Sequence, residues 1–228
     1  MNIAGLQKTT LLDYPGKIAC TVFLSGCNLR CPFCHNASLV LPERLQPVMT
    51  ADALLEFLQT RIKKLDGVCV TGGEPTLYHD LPELLCRIRA LGFSVKLDTN
   101  GTRPAVLKAL LDEGLLDYVA MDIKNSPAQY AVTCGNVDVL SSVQESVRLL
   151  MDSDVDYEFR TTVLHPLHTP QSLEQIAQWI SGAKRYFIQA FVDSGDLIGS
   201  GEALNEADMQ LLLQAVKPYI PNAQLRGV

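Results

Sequence analysis

Short apolar runs recur along the chain, and most are followed by a segment whose apolar residues fall three and four apart. The runs 18–24, 68–71, 93–99, 116–123, 157–163 and 185–192 read as buried strands. Between them lie amphipathic helices with legible ends. Thr50 reads as the N-cap of a helix with Leu54, Leu55, Leu58, Ile62 and Leu65 on one face, stopped by Asp66-Gly67. A helix over 82–90 presents Leu84, Leu85, Ile88 and Leu91, and Gly92 closes it. Thr102 is expected to cap the next, with Pro104 in its first turn, Val106, Leu107, Leu110 and Leu111 inward, and Gly114 as the stop. Further helices are expected near 139–151, from Thr169-Pro170 through Ile180, and after Asn205 to a point before Pro218.

Strands that alternate with helices imply right-handed crossovers and a parallel sheet. Six such units fall short of the eight, in about 250 residues, that close a full barrel. The expectation is therefore an α/β fold with an open, curved six-strand sheet and helices outside, in one domain. Residues 1–17 read as an N-terminal extension of little periodicity with a turn at Asp13-Tyr14-Pro15-Gly16. Residues 18–192 form the core, and 193–228 a C-terminal loop and helix, the acidic 193–208 part being a solvated face. Pro42 and Pro47 punctuate the connection after the first strand.

Composition narrows the class. The 228 residues are 47% hydrophobic and 19% charged, values of a globular chain rather than a disordered one. A net charge of −6 offers nothing to nucleic acid or to an anionic membrane surface. No apolar run approaches the roughly 20 residues that span a bilayer, and no secretory signal opens the chain. Seven cysteines, an odd number with three of them clustered in one loop, suit a reducing compartment, and the expectation is cytoplasmic.

The chemistry centres on the loop after the first strand, where Cys27, Cys31 and Cys34 stand in C-x3-C-x2-C spacing. Three thiols cannot pair off, but they can converge on one soft-metal centre: an iron–sulfur cluster, or a zinc ion completed by His35. Adjacency counts against the zinc alternative, because His35 directly follows Cys34. In parallel α/β folds, ligands collect at the carboxyl ends of the strands. There the chain places Gly72-Gly73-Glu74, Asp98-Thr99-Asn100, Asp122 and Lys124, with Arg160 in the fifth strand and Gln189 in the sixth. Two glycines at a strand end let the backbone approach a ligand closely. Asp122 and Lys124, two apart, share a strand face.

The segments GCNLRCPFCHN (26–36), TGGEP (71–75), LDTNG (97–101) and MDIK (121–124) resemble the radical S-adenosylmethionine (SAM) superfamily. More narrowly they resemble the activating enzymes of glycyl-radical enzymes. Together with the opening GLQKTTLLDYPGK (5–17) they are most similar to the anaerobic ribonucleoside-triphosphate reductase activating proteins. The resemblance covers essentially the whole chain and implies a (β/α)6 partial TIM barrel. It implies a [4Fe-4S] cluster on Cys27, Cys31 and Cys34 whose fourth iron chelates SAM, with Phe33 near the adenine and Asn36 at a polar position beside SAM. Gly72 and Gly73 would offer carbonyls to the SAM ammonium, while Glu74 either holds that geometry or neutralises the ammonium. Asp98 would accept from the ribose or join Asp122 in holding a monovalent cation. Lys124 and Arg160 would grip the SAM carboxylate. Gln189 stands where the family's pyruvate formate-lyase activator has a histidine.

The implied reaction is reductive cleavage of SAM and abstraction of hydrogen from a glycine of a partner enzyme, with flavodoxin or ferredoxin as electron donor. Two alternatives share the motifs: a small-molecule enzyme like 7-carboxy-7-deazaguanine synthase, and an activase of a different glycyl-radical enzyme. Cys20, Cys69, Cys86 and Cys134 lack paired spacing and read as small core residues. His79, His165 and His168 have no partners at ligand spacing, and His165-Pro166-Leu167-His168 reads as a loop.

Overall fold

The computed structural model describes residues 1–44, 46 and 48–227, so the punctuation expected at Pro47 lies outside the described residues. One sheet of eight strands runs in sequence order: β1 (Ile3–Thr10), β2 (Ala19–Leu24), β3 (Gly67–Gly72), β4 (Ser94–Thr99), β5 (Tyr118–Asp122), β6 (Asp156–Val163), β7 (Tyr186–Ala190) and β8 (Gln224–Arg226). The helices are α1 (Ala37–Val40), α2 (Ala51–Gln59), α3 (Leu81–Ala90), α4 (Pro104–Asp112), α5 (Tyr130–Thr133), α6 (Leu140–Met151), α7 (Pro170–Trp179) and α8 (Glu206–Val216). Strands β2 to β8 are parallel, each beside the next, which is the signature of successive right-handed crossovers. β1 and β8 are the two edges and, among the described residues, do not pair, so the sheet stays open.

The six expected strands are β2 to β7. Two more correct the expected boundaries. Residues 1–17 are not an irregular extension: β1 pairs antiparallel with β2, joined through a turn in which Lys17 N–H bonds to Tyr14 O at 3.2 Å. Pro15 and Gly16, with Gly16 at φ +72°, occupy the turn positions that favour those residues. As an edge strand β1 buries only its ends fully and shows no clean alternation. β8 has three residues, Gln-Leu-Arg, too short and polar to form an apolar run.

Each helix lays its apolar stripe on the sheet. Leu54, Leu55 and Leu58 of α2, Leu81, Leu84, Leu85 and Ile88 of α3, and Leu173, Ile176 and Ala177 of α7 are buried. A fully buried leucine contributes on the order of 2 kcal/mol. The caps at Thr50, Thr169 and Asn205 form as expected, each side chain accepting a backbone N–H. Three expectations fail locally. α2 stops at Gln59, leaving Ile62 exposed in the following turn. Arg103, not Thr102, occupies the N-cap of α4, because the Thr102 hydroxyl donates to Asn100. Cys86 lies on the exposed side of α3 rather than in the core.

Alternation along the strands positions the site. Val68 and Val70, Val95 and Leu97, Val119 and Met121, and Tyr157 and Phe159 join the large core cluster. Their alternating neighbours belong to the other face: Thr71, Asp98, Asp122, Arg160 and Thr162 line a cavity on the inner side of the sheet. The strands therefore bury two unlike faces, one apolar and one polar.

Candidate active site

The cysteine loop leaves β2 at Leu24 and is anchored before it reaches the thiols. Gly26 N–H bonds to Leu39 O at 2.6 Å, and Glu74 N–H to Gly26 O at 2.7 Å. Leu29, Cys31 and Phe33 are buried and belong to the core cluster, so the loop is part of the packing. Cys27, Cys31 and Cys34 line one cavity of about 290 Å³ together with Phe33, Asn36, Gly72, Gly73, Asp98, Asp122, Lys124, Arg160 and Gln189. Every expected site residue but Glu74 is on that wall. Asn36 stands at the N-cap position of α1, yet its side chain makes no capping bond and faces the cavity instead.

Glu74 is fully buried and spent on the protein itself. One oxygen accepts from the Thr76 N–H at 3.1 Å and from the Thr99 hydroxyl at 2.8 Å; the other accepts from Asn100 N–H at 2.6 Å. It ties the end of β3 to the end of β4. The glycines before it serve close backbone approach, and the partner is the chain: a Cβ on Gly72 would sit 2.1 Å from Leu24 O, and one on Gly73 2.0 Å from Gly26 O.

On the inner face, charges alternate across three strands. Lys96 pairs with Asp98, Arg160 Nη1 reaches Asp98 at 3.1 Å, Arg160 Nε reaches Asp122 at 3.0 Å, and Lys124 Nζ reaches Asp122 at 2.8 Å. Register brings this about, since Asp122 stands opposite Arg160. Burial opposes ionisation of both carboxyls. Arg160 and Lys96 outweigh it at Asp98, and Lys124 and Arg160 at Asp122, so both are held below the usual carboxylate range. Arg160 is thus the cation that Asp98 and Asp122 share, and its guanidinium is committed to them rather than open for a bidentate grip. Lys124 differs: its ammonium has three donors and one partner among the described residues. Its charge is also felt at the thiols. Burial pushes Cys27 up to about 11 and raises Cys34, and Lys124 opposes both shifts.

Several residues of the site were not singled out from sequence. Asn100 Nδ2 donates to Asn28 Oδ1 at 3.0 Å and approaches Cys27 Sγ at 3.8 Å, while Asn28 donates to Thr102 at 2.8 Å. Gln7 of β1 and Asp13 of the hairpin turn complete the cavity wall. Cys134 is buried in the core cluster as expected, and its thiol beside Cys31 is the main influence drawing Cys31 down to about 7 against the cost of burial. Its carbonyl accepts from Arg30 N–H at 3.1 Å. The loop after β7 is not wholly a solvated face. Gly199 N–H bonds to Pro32 O at 2.8 Å, Ile198 N–H to Cys34 O at 3.2 Å, and Asp196 accepts from Ser38 N–H at 2.8 Å. No spacing in the sequence signals these contacts, since they join positions about 160 residues apart.

The sequence profile of the radical SAM superfamily matches residues 21–180, more than two thirds of the chain. The chain belongs to the radical SAM superfamily. A protein of Methanocaldococcus jannaschii, assigned by name as a glycyl-radical enzyme activating enzyme, is 30% identical over 234 residues, covering 99% of this chain and 96% of the relative. A 7-carboxy-7-deazaguanine synthase of Halobacterium salinarum is 42% identical over 95 residues, 40% of this chain and 36% of that enzyme. A domain of the pyruvate-formate lyase-activating enzyme of Bacteroides vulgatus superposes with a TM-score of 0.59 at 18% identity, covering 71% of this chain and all but 1% of that domain, a likeness of fold.

Radical SAM enzymes use a [4Fe-4S] cluster and SAM, and the donor set fits that pair. Three thiols on one loop are the soft ligands a cluster takes, and they leave one iron without a protein ligand. Among the described residues no three His, Cys, Asp or Glu side chains are gathered tightly enough for a single ion. All three thiols line the same cavity. When bound, the cluster supplies the electron that cleaves SAM. The chain supplies binding, charge balance and exclusion of water. Asn100 and the Leu29 N–H, 3.4 Å from Cys27 Sγ, are the donors that orient that sulfur.

Proposed function

We propose that this radical SAM enzyme is the activase of a glycyl-radical enzyme, and specifically of an anaerobic ribonucleoside-triphosphate reductase. Cys27, Cys31 and Cys34 hold the cluster; Phe33, Asn36, Gly72, Gly73 and Gln189 line the SAM site; Lys124 anchors the SAM carboxylate. Glu74, Asp98, Asp122 and Arg160 hold the frame. The observation that carries the reading is the joining of three thiols and a singly paired lysine on one cavity at the carboxyl ends of the strands. The relative of nearly full length, 30% identical, supports the activase class, and the GLQKTTLLDYPGK opening supports the reductase as target. That opening is part of the site, since Gln7 and Asp13 stand on the cavity wall. A flavodoxin or ferredoxin serves as electron donor, and seven free thiols fit a cytoplasmic setting.

The test is anaerobic reconstitution with iron and sulfide, reduction, and addition of SAM with and without the reductase. Release of 5′-deoxyadenosine together with a glycyl-radical EPR doublet on the reductase is the expected result. Deoxyadenosine without the doublet removes the assigned partner. Lys124→Ala is expected to weaken SAM binding by roughly 1.5–3 kcal/mol, the worth of a charged hydrogen bond. A second reading, a small-molecule enzyme like 7-carboxy-7-deazaguanine synthase, is favoured by the 42% identity over part of the chain. It predicts turnover of a small substrate in the absence of any partner protein.

A further inference from the structure

Lys124 lies two residues beyond the end of β5, where the sheet no longer fixes the backbone. The last ladder-like bond is Ile123 N–H to Arg160 O at 2.8 Å. Past it, two side chains hold the Lys124 peptide. Tyr130 Oη accepts its N–H at 3.3 Å, and its carbonyl meets His168 Nε2 at 2.9 Å. His168 is 2% exposed and its other ring nitrogen, Nδ1, accepts from Leu164 N–H at 3.3 Å. A nitrogen that accepts carries no proton, so the neutral ring is protonated at Nε2 and donates to Lys124. The same ring meets Phe33 edge to face, with centroids 6.2 Å apart and planes at 81°. One imidazole thus touches both the residue before the third cysteine and the backbone of the lysine across the cavity.

We propose that His168 is a positioning residue for SAM: it fixes Lys124 through the Nε2–H bond and braces Phe33 through ring contact. The inference rests on the reading of Lys124 as the carboxylate anchor. A purely structural histidine would hold the 164–168 loop through Nδ1, and the rest of the site would be indifferent to Nε2.

Two variants separate these roles. In His168→Gln the amide nitrogen falls near the place of Nε2 and keeps the donor to Lys124. In His168→Asn the amide oxygen falls near the place of Nδ1 and keeps only the acceptor for Leu164. SAM dissociation constants are measured anaerobically on the cluster-loaded proteins, with iron per chain determined for each and Lys124→Ala as reference. The expected result is binding close to the parent for His168→Gln and roughly three- to tenfold weaker binding for His168→Asn, the range of one hydrogen bond, at equal iron content. Equal affinities of the two variants, or the reverse order, overturn the proposal. Unchanged binding in Lys124→Ala sinks the anchor reading, and this inference with it. A weakened Lys124→Ala with indifferent His168 variants sinks the inference alone. Hydrogen exchange on the unmutated protein tests it without relying on a variant's folding. SAM is expected to slow exchange of the Leu164 amide, because locking Lys124 locks His168. No change at that amide counts against the proposal.

Discussion

At Glu74 a buried acid meets four donors, the Thr76 hydroxyl joining the three N–H and O–H groups already named, and an acceptor is needed at every position. Glu74→Gln keeps the shape but turns an amide N–H₂ toward groups that themselves donate, among them Asn100 N–H. The expected cost is about 1–3 kcal/mol of stability, measured by urea unfolding, with the joint between β3 and β4 loosened. The ladder behaves differently with pH. Asp98 and Asp122 have folded pKa values below their unfolded ones, so their stabilisation is fully present above about pH 4 and lost only as pH falls through the lower folded values. Lys124 and Arg160 have raised values, so their part is present below the ordinary lysine and arginine ranges and is lost only at still higher pH. The ladder should therefore contribute in full, and add nothing to the pH dependence of the melting temperature, between about pH 5 and 9. In Asp122→Asn the decline of stability below about pH 4 should be shallower than in the parent. At this scale the sequence singled out residues that line one cavity. It did not name their partners, because a side chain's bonds depend on which strand lies opposite.

Among elements, the decisive joint is where the end of β3 passes beneath the loop that leaves β2. Gly72 has φ +127°, a region that side chains rarely adopt, and a Cβ there would collide with Leu24 O. Gly72→Ala should cost more than about 2 kcal/mol, seen in denaturant unfolding, and should displace the cysteine loop enough to lower iron uptake on reconstitution. The glycine pair was legible as a site of close approach; that the approaching group is the neighbouring strand end was not. The same holds for the loop after β7. Its composition reads as solvated, yet four of its residues, Ser194, Asp196, Ile198 and Gly199, bond to the segment 32–38. Composition reports average solubility, whereas docking depends on a few backbone N–H groups that any sequence carries.

At the other end of the strands, the β1–β2 turn and β8 each pack on the strands beside them. Tyr14 of the β1–β2 turn packs on Tyr118 with centroids 6.0 Å apart. Arg226 of β8 bonds to the buried Glu158 through both terminal nitrogens, at 2.8 and 3.1 Å, and stacks 3.7 Å from the Phe187 ring. Removing Arg226 leaves Glu158, among the described residues, with only the Tyr118 hydroxyl as hydrogen-bond partner. Because Arg226 is itself partly exposed, Arg226→Ala should cost about 2 kcal/mol, below the range for a fully buried pair. Hydrogen exchange should rise first in β8 and along β7. Six strands, their helices, the caps at Thr50, Thr169 and Asn205 and the cysteine loop followed from the sequence alone, because apolar periodicity and local capping are written in neighbouring residues. The two edge strands, the polar inner face and the partners of its charges were decided by the tertiary structure. A three-residue strand or a lysine in an apolar run has no local signature, and only the register of parallel strands determines which charge meets which.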